Sequence, residues 1–281
     1  MIQTSDIAPL RKHIKAWKQQ DKTIAVVPTM GNLHAGHLAL INKARQLADI
    51  TIATLFVNPI QFDKQADLDN YPKTYEQDIK LLEQQNCDLV FSPTTETMYG
   101  KTKSTTRVEV AEHNHILEGA SREGHFSGVA TVVAKLFNIT TPDFAIFGEK
   151  DFQQLIVIRQ MVADLNFDIE IIGHPIVREK DNLAMSSRNG YLTEQERKIA
   201  PFLNKALQRI KEQIVDGEKD YQTLCSTANE TIAKQGFRPD YIEVRRQQDL
   251  LEPNRNDKEL VIVASAWLGK ARLLDNIAFI I

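Results

Sequence analysis

Apolar runs of strand length alternate with helix-like patterns along the first two thirds of this 281-residue chain. The runs are TIAVV (23–27), ITIATLFV (50–57), LVF (89–91), FAIF (144–147) and IEII (169–172), and the helical patterns cover 35–48, 74–85, 128–139 and 151–165. Strands that are apolar on both faces and joined by crossover helices are typical of a parallel sheet with helices on either side. We therefore predict an α/β domain over residues 1–176, with a Rossmann-like, doubly wound parallel sheet. Its ligands are expected beyond the carboxyl ends of the strands.

The pattern changes after Val177. Helical patterns at 193–215 and 221–234 precede three strand-like runs, YIEVRR, LVIVASAWL and ARLLDNIAFII. No crossover helix separates these runs, so they are expected to pair antiparallel. We predict a smaller C-terminal α+β domain with an antiparallel sheet over residues 177–281. The polar segment VREKDNLAMSSRNG is the predicted junction, and the charged segment NRNDKE (254–259) is a predicted turn.

The charge balance argues against a polyanionic partner. The chain has 34 basic and 37 acidic residues, so no global positive field would attract nucleic acid or an anionic membrane surface. Cys87 and Cys225 lack metal-ligand spacing and are expected to be reduced and packed. Neither a signal-peptide pattern nor an apolar run of membrane-spanning length occurs. We expect a cytoplasmic protein that acts on small molecules.

Two histidines lie three residues apart in PTMGNLHAGH, directly after the first predicted strand. A helix that begins near residue 33 or 34 leaves its first N–H groups without internal partners, and its N-terminus attracts anions. His34 and His37 would share one face of the first turn, and Gly31 and Gly36 would let phosphates approach the backbone. This pattern predicts a phosphate site. The alternative is that both histidines only cap the helix or pack locally.

Polar side chains follow two other strand ends. In FVNPIQF, Pro59 ends the strand and is expected to expose Asn58 and Gln61, whose uncharged amides suit hydroxyls and a carboxylate. In FGEKDFQQL, Lys150 suits phosphate oxygens and Asp151 suits Mg2+. The alternatives are ordinary loop hydrogen bonds for the amides and a weak surface ion pair for the charges.

Five segments in order carry a specific resemblance. HAGH resembles the HxGH signature of the nucleotidylyltransferase superfamily. VPTMGNLHAGH, FVNPIQF, EGASREGHFSGVATVVAKLFNI, FGEKDFQQL and MSSRNGYL together are similar to the pantothenate synthetase (pantoate:β-alanine ligase) family, over nearly the whole chain. Two positions depart from that pattern, with Glu123 in place of a proline and Lys73 in place of an arginine.

The resemblance implies a function and a set of site residues. The implied reaction is ATP-dependent condensation of (R)-pantoate with β-alanine to pantothenate, AMP and pyrophosphate through pantoyl adenylate, in pantothenate and coenzyme A biosynthesis. It also implies ATP as a substrate, Mg2+ and a homodimer. The implied catalytic residues are His34, His37, Lys150 and Arg188. The implied ATP-binding residues are Met30, Gly31, Asn32, Leu33, His34, Ala35, Gly36, His37, Gly148, Glu149, Lys150, Asp151, Val177, Met185, Ser186, Ser187 and Arg188. Gln61, Gln154 and Asn58 are the implied substrate residues for pantoate and β-alanine, and Asp151 is the implied metal ligand.

Other assignments stay open. Arg122 is a candidate for a mobile pocket wall, and the apolar helix after it is expected to be core or a subunit contact. His113 and His115 invite a metal site, but no third ligand is spaced to complete one. The rival functions are another HxGH transferase with a phosphate acceptor, a tRNA synthetase, or a nucleotide sensor without catalysis.

Overall fold

A computed structural model describes residues 1–63, 65–101 and 105–281. These residues form two compact units. The first unit contains Met1–Glu149 and Gln153–His174, and the second contains Lys150–Phe152 and Pro175–Ile281. The short segment Lys150–Phe152 belongs to the second unit, although its neighbours in the sequence belong to the first.

The first unit is built on a six-stranded sheet in which every pair of neighbours is parallel. The strand order is β1-β4-β3-β2-β5-β6. The strands are β1 Ile2–Thr4, β2 Ile24–Thr29, β3 Ile50–Leu55, β4 Leu89–Phe91, β5 Phe144–Gly148 and β6 Glu170–His174. The five predicted strands are all present. Sequence reasoning missed β1, because its three residues are mostly exposed and form no apolar run.

Helices cover this sheet on both faces. Val26 and Ile52 pack in one apolar cluster, whereas their neighbours Val27 and Ala53 pack in another. Successive side chains of a strand point to opposite faces, so the two clusters lie on opposite sides of the sheet. The helices are α1 Ile7–Lys18, α2 Ala35–Leu47, α3 Gln65–Asp69, α4 Tyr75–Gln84, α5 Thr95–Tyr99, α6 Leu117–Ser121, α7 His125–Thr140 and α8 Phe152–Asp164. Residues of α1, α7 and α8 belong to the first cluster, and residues of α2 and α4 belong to the second. The predicted doubly wound α/β fold is confirmed.

The second unit contains an antiparallel sheet of three strands, in the order β7-β8-β9. The strands are β7 Arg238–Arg246, β8 Glu259–Leu268 and β9 Ala271–Ile280, and the helices are α9 Glu194–Ile199, α10 Phe202–Val215 and α11 Tyr221–Lys234. The predicted α+β architecture with an antiparallel sheet is confirmed. Leu207, Ile232 and Ile262 are among the apolar side chains that form its core.

One predicted helix is wrong. The pattern at 193–215 was expected to form a single helix, but the chain forms α9 and α10 with a break at Ala200 and Pro201. A proline has no N–H to donate and its ring crowds the preceding turn, so it is tolerated only near a helix start.

Thr193 caps α9, since its hydroxyl accepts from the Glu196 N–H at 3.3 Å and the Glu196 carboxylate accepts from the Thr193 N–H at 2.8 Å.

The most apolar helix of the first unit is α7, and nearly all of its sixteen residues are buried. It packs with α1 and β2 in the core, which agrees with the structural role predicted for this segment. Within the described ranges, no helix combines the length and the apolar character needed to cross a membrane.

Candidate active site

The two histidines lie at the start of α2, just beyond the carboxyl end of β2. His34 is the N-cap residue, and its Nδ1 accepts a hydrogen bond from the Gly36 N–H at 3.1 Å. The Nδ1 of His37 accepts from the His34 N–H at 3.3 Å. The ring centroids are 4.1 Å apart. The capping alternative is therefore observed, and it places both imidazoles side by side on the first turn.

The caps also decide which ring nitrogen carries the proton. A nitrogen that accepts a hydrogen bond has no proton, so a neutral His34 or His37 bears its proton on Nε2. Protonating Nδ1 would place a donor against a backbone N–H and break the cap. A neutral ring in either cap would therefore carry its donor at Nε2. Capping and ligand binding are compatible, because they use opposite nitrogens of the same ring.

The loop before the helix follows an unusual path. Gly31 has φ +85° and Asn32 has φ +52°, so two successive residues adopt the left-handed conformation. The Asp78 carboxylate accepts from the N–H of Asn32 at 2.9 Å and from that of Leu33 at 2.8 Å. Thr74 donates its hydroxyl to the same carboxylate at 3.0 Å. Asp78, on α4, is only 2% exposed, and its buried carboxylate anchors the loop.

The position of Gly31 shows how tightly this loop is packed. A Cβ added there would lie 3.0 Å from an Asp78 oxygen. The Gly31 N–H itself donates to the Thr29 hydroxyl at 3.3 Å. The N–H groups of residues 31–34 and of Gly36 therefore all have protein acceptors. This differs from the expectation that the first N–H groups of the helix would lack internal partners.

The predicted substrate amides are buried rather than exposed. Asn58 is 1% exposed and Gln61 is 8% exposed, so the expectation that Pro59 exposes them was wrong. Asn58 donates from Nδ2 to the Gln61 Oε1 at 2.9 Å and to the Gly128 carbonyl at 3.2 Å. Its own Oδ1 accepts from the Tyr99 hydroxyl at 2.7 Å. Internal hydrogen bonds satisfy the amide groups and make their burial tolerable.

These contacts determine the direction of the Gln61 amide. A backbone carbonyl can only accept, so Gly128 fixes the NH2 side of Asn58, and the oxygen of Gln61 must face that NH2 group. The Nε2 of Gln61 is directed the other way and lies 3.1 Å from the Met30 sulfur. Burial raises the pKa of Tyr99, so its hydroxyl stays protonated and able to donate. Gln61 is therefore oriented as a hydrogen-bond donor.

The start of α7 holds the backbone of the same turn. His125 Nδ1 lies 2.8 Å from the Gln61 carbonyl, and its Nε2 lies 3.0 Å from Arg122 Nη1. A Cβ on Gly128 would come within 2.4 Å of the Ile60 carbonyl, so only glycine allows this approach. Sequence reasoning missed the supporting roles of His125 and Tyr99, which no spacing rule signals. The sequence suggested that Arg122 is part of a mobile pocket wall. In the structure, Arg122 contacts His125, which in turn contacts the Gln61 carbonyl.

Lys150 and Asp151 lie in the 3-10 turn Glu149–Asp151, which follows Gly148 at the end of β5. The Lys150 Nζ is 3.6 Å from the Asp151 carboxylate, and the side chains are 16% and 48% exposed. The ion-pair alternative is therefore observed, although a partly exposed pair of this kind contributes little stability. Within the described residues, no group of three histidine, cysteine or acidic side chains is arranged as a metal site. Asp151 fits the other mode of Mg2+ binding, in which one carboxylate works with substrate phosphates and water.

The two glutamines of FQQL differ. Gln153 is buried, donates to the His113 and Ile116 carbonyls at 2.9 and 3.0 Å, and accepts from the Glu118 N–H at 2.9 Å. Gln154 is only partly buried. Gln153 thus has a structural role, whereas the partly exposed side chain of Gln154 is accessible to a ligand. His113 is 3% exposed and lies in a 3-10 turn.

The second predicted phosphate segment forms the 3-10 turn Ser187–Tyr191 in the second unit. The Ser186 hydroxyl caps this turn by accepting from the Arg188 N–H at 3.3 Å. The Met185 N–H donates to the Val177 carbonyl at 3.0 Å, so two residues predicted to bind ATP are neighbours across a hairpin.

The remaining predicted residues are placed as follows. Leu33 is 7% exposed and its side chain packs in the core, so it can offer a ligand only backbone atoms. Ala35 is the first residue of α2 and is exposed. Glu149 lies against Gly173, where an added Cβ would meet its carboxylate at 2.9 Å. The two departures from the family pattern, Lys73 and Glu123, are both exposed.

The chain is similar to known proteins over nearly its whole length. The sequence model of the pantoate-beta-alanine ligase family matches residues 3–278. A curated pantothenate synthetase of Aliivibrio fischeri is 53% identical over 275 residues, which cover 97% of this chain and 94% of that protein. A crystal structure of pantothenate synthetase from Thermus thermophilus has a TM-score of 0.91 and 41% identity, and the match covers 99% of both chains. A pantoate-beta-alanine ligase from Francisella tularensis, crystallised with beta-gamma ATP and beta-alanine, has a TM-score of 0.84 and 34% identity, with 99% of this chain and 97% of that one covered. The chain therefore belongs to the pantoate-beta-alanine ligase family.

Proposed function

We propose that this ligase joins (R)-pantoate to β-alanine in two steps, with ATP as the activating substrate. A carboxylate is unreactive toward amines because oxide is a poor leaving group. In the first step a pantoate carboxylate oxygen bonds to the α-phosphorus, and the bond to pyrophosphate breaks. In the second step the neutral amine of β-alanine attacks the acyl carbon, AMP leaves, and the nitrogen loses a proton. The products are pantothenate, AMP and pyrophosphate.

The observation that carries this proposal is the orientation of Gln61. Asn58 holds the Gln61 oxygen, so the amide directs N–H groups toward its other side. N–H donors suit the carboxylate and hydroxyl oxygens of pantoate. An uncharged donor orients the carboxylate without the strong stabilisation that a cation would give to a group that must react. Gln154 is the second proposed pantoate amide, and Gln61 also borders the proposed β-alanine site.

His34 and His37 are proposed to stabilise the charge that develops on the phosphates. Both rings cap the helix through Nδ1, so a neutral ring would present an Nε2–H donor. Two fixed donors of this kind cost little reorganisation during the reaction, which is the basis of electrostatic catalysis.

The second unit is proposed to supply cations and hydroxyls. Lys150 and Arg188 are proposed to bind triphosphate oxygens, together with the Ser186 and Ser187 hydroxyls, and Val177 and Met185 to contact the adenine. Mg2+ held by Asp151 and the phosphates would neutralise phosphate charge. No protein nucleophile is needed, because positioning and charge stabilisation can supply most of the acceleration in phosphorus chemistry.

An omission experiment tests the two steps. The protein is incubated with Mg·ATP and (R)-pantoate but without β-alanine, and pyrophosphate and acyl adenylate are measured. Both should appear, and neither should appear without pantoate. In full turnover, one 18O atom from carboxylate-labelled pantoate should be recovered in AMP. Normal turnover with unlabelled AMP would rule out the adenylate route.

A further inference from the structure

An ion pair between Arg178 and the buried carboxylate of Asp275, in the second unit, has no assigned role. Arg178 donates from Nη1 and Nη2 to the two oxygens of Asp275, at 2.9 and 2.8 Å. The Asp275 side chain is 4% exposed and that of Arg178 is 21% exposed. Asn204 donates to the same carboxylate at 3.0 Å. A bidentate pair with this geometry is much more directional than a surface ion pair.

Arg178 lies within the segment that leads to the proposed phosphate turn. Arg178 and Ala184 form an antiparallel bridge, and the Glu179 N–H donates to the Leu183 carbonyl at 2.8 Å. The guanidinium folds back over this hairpin and donates to the Asn182 carbonyl at 3.0 Å. The same side chain therefore closes the hairpin 177–185 and ties it to strand β9. Ser186 follows the hairpin directly.

The next residue of β9 holds the other proposed phosphate segment. Asn276 is 5% exposed, and its Nδ2 donates to the Lys150 carbonyl at 3.0 Å. Arg178 also donates to the Asn276 carbonyl at 3.2 Å. Two adjacent residues of one strand thus contact both segments of the second unit that carry proposed ATP ligands. One segment contains Lys150, and the other continues into Ser186–Arg188.

We propose that Arg178, Asp275 and Asn276 are positioning residues for Mg·ATP, acting through the backbones of these two segments. The inference rests on the proposed roles of Lys150 and of Ser186–Arg188. A hairpin held by a directional buried pair is ordered before the nucleotide arrives. Without the pair, part of the binding energy would be used to order the segment, so nucleotide affinity would fall. Outer contacts of this kind often change the affinity of a site by about 10–100-fold.

The test compares Arg178→Lys, Asp275→Asn and Asn276→Ala with a matched control. Lysine keeps the charge at 178 but cannot make two parallel hydrogen bonds. The control is Asp240→Asn, which breaks the Arg272–Asp240 pair between two strands of the same sheet. Mg·ATP affinity is measured by calorimetry, KM values by pyrophosphate release, and local order by hydrogen exchange. Thermal unfolding confirms that each variant is folded.

The expected results separate positioning from general stability. Arg178→Lys and Asp275→Asn should weaken Mg·ATP binding by about tenfold or more and speed amide exchange in residues 179–189. Their KM values for β-alanine and pantoate should stay within about twofold of wild type. For Asp240→Asn, the Mg·ATP affinity, the KM values and the amide exchange rates should all stay within about twofold of wild type. Asn276→Ala should also weaken Mg·ATP binding, and amide exchange should quicken at residues 150–152.

Two outcomes have different meanings. Variants that bind Mg·ATP and exchange like Asp240→Asn would overturn the positioning role. If instead wild-type protein shows no pantoate-dependent pyrophosphate release, the proposed function fails. Calorimetry and exchange would then still decide whether these residues order the two segments, because neither measurement depends on turnover.

Discussion

At the scale of single residues, the hydrogen bonds decide what each side chain can offer a substrate. His34 and His37 use Nδ1 for the helix caps, so only their other nitrogens can serve a ligand. Asn58 was predicted to bind substrate directly. That role stays a prediction, and the contacts of its amide with Gln61, Gly128 and Tyr99 also suit it to orient Gln61. A side-chain amide can make only a few hydrogen bonds, so its contacts with protein groups limit those that it can make to a ligand.

The histidine argument predicts the behaviour of His37→Asn. The asparagine oxygen can replace Nδ1 as the cap acceptor, but the shorter side chain has no group at the position of Nε2. We expect thermal stability near that of wild type and pyrophosphate release slowed by about a hundredfold or more. Stopped-flow measurement of the first step checks the rate, and calorimetry checks the stability. A near-normal rate would show that the Nε2–H of His37 does not act on the phosphates.

At the scale of elements, the site is supported by contacts between segments distant in the chain. Asp78 on α4 anchors the loop before α2, and the start of α7 supports the turn that carries Gln61. Loop residues alone could not maintain two successive left-handed conformations without such partners. The break at Pro201 is a local effect by contrast. The proline has no N–H to continue α9, but it is tolerated at the start of α10.

The loop anchor predicts the effect of Asp78→Asn. Asparagine has one acceptor oxygen, so its NH2 group would face one of the two loop N–H groups. We expect the free energy of unfolding to fall by about 1–3 kcal/mol, with a raised KM for ATP. Chemical denaturation and pyrophosphate release measure the two effects. Glu83→Gln is the control, because Glu83 is exposed on the same helix and should change neither value. An unchanged KM in Asp78→Asn would contradict the role of the anchor in nucleotide binding.

At the scale of the whole molecule, the order of elements followed from the sequence pattern. Five of the six parallel strands and the three antiparallel strands were predicted, because their apolar runs stand out from the polar segments around them. Strand β1 was missed, because its three residues form no apolar run. Its place in the sheet comes from backbone pairing with β4. The resemblance to the ligase family was visible in five ordered motifs, and the comparisons confirmed it.

The homodimer implied by the resemblance is a prediction at this scale. Light scattering after size exclusion should give twice the chain mass of 31.9 kDa at micromolar concentration. The buffer should contain no nucleotide, so that any ligand-driven association is seen separately. A mass that stays at the monomer value up to high concentration would refute the prediction.

The sequence by itself determined the fold class and the location of the nucleotide motifs. Hydrophobic periodicity and strand-to-helix turns are local properties, and His34, His37, Gln61 and Lys150 could be singled out from short segments. Only the tertiary structure decided how these groups are held. Asp78, Tyr99 and Arg178 act through residues far away in the chain, and no local pattern marks such partners. Burial then determines which polar atoms must pair internally, and so which atoms remain for a ligand.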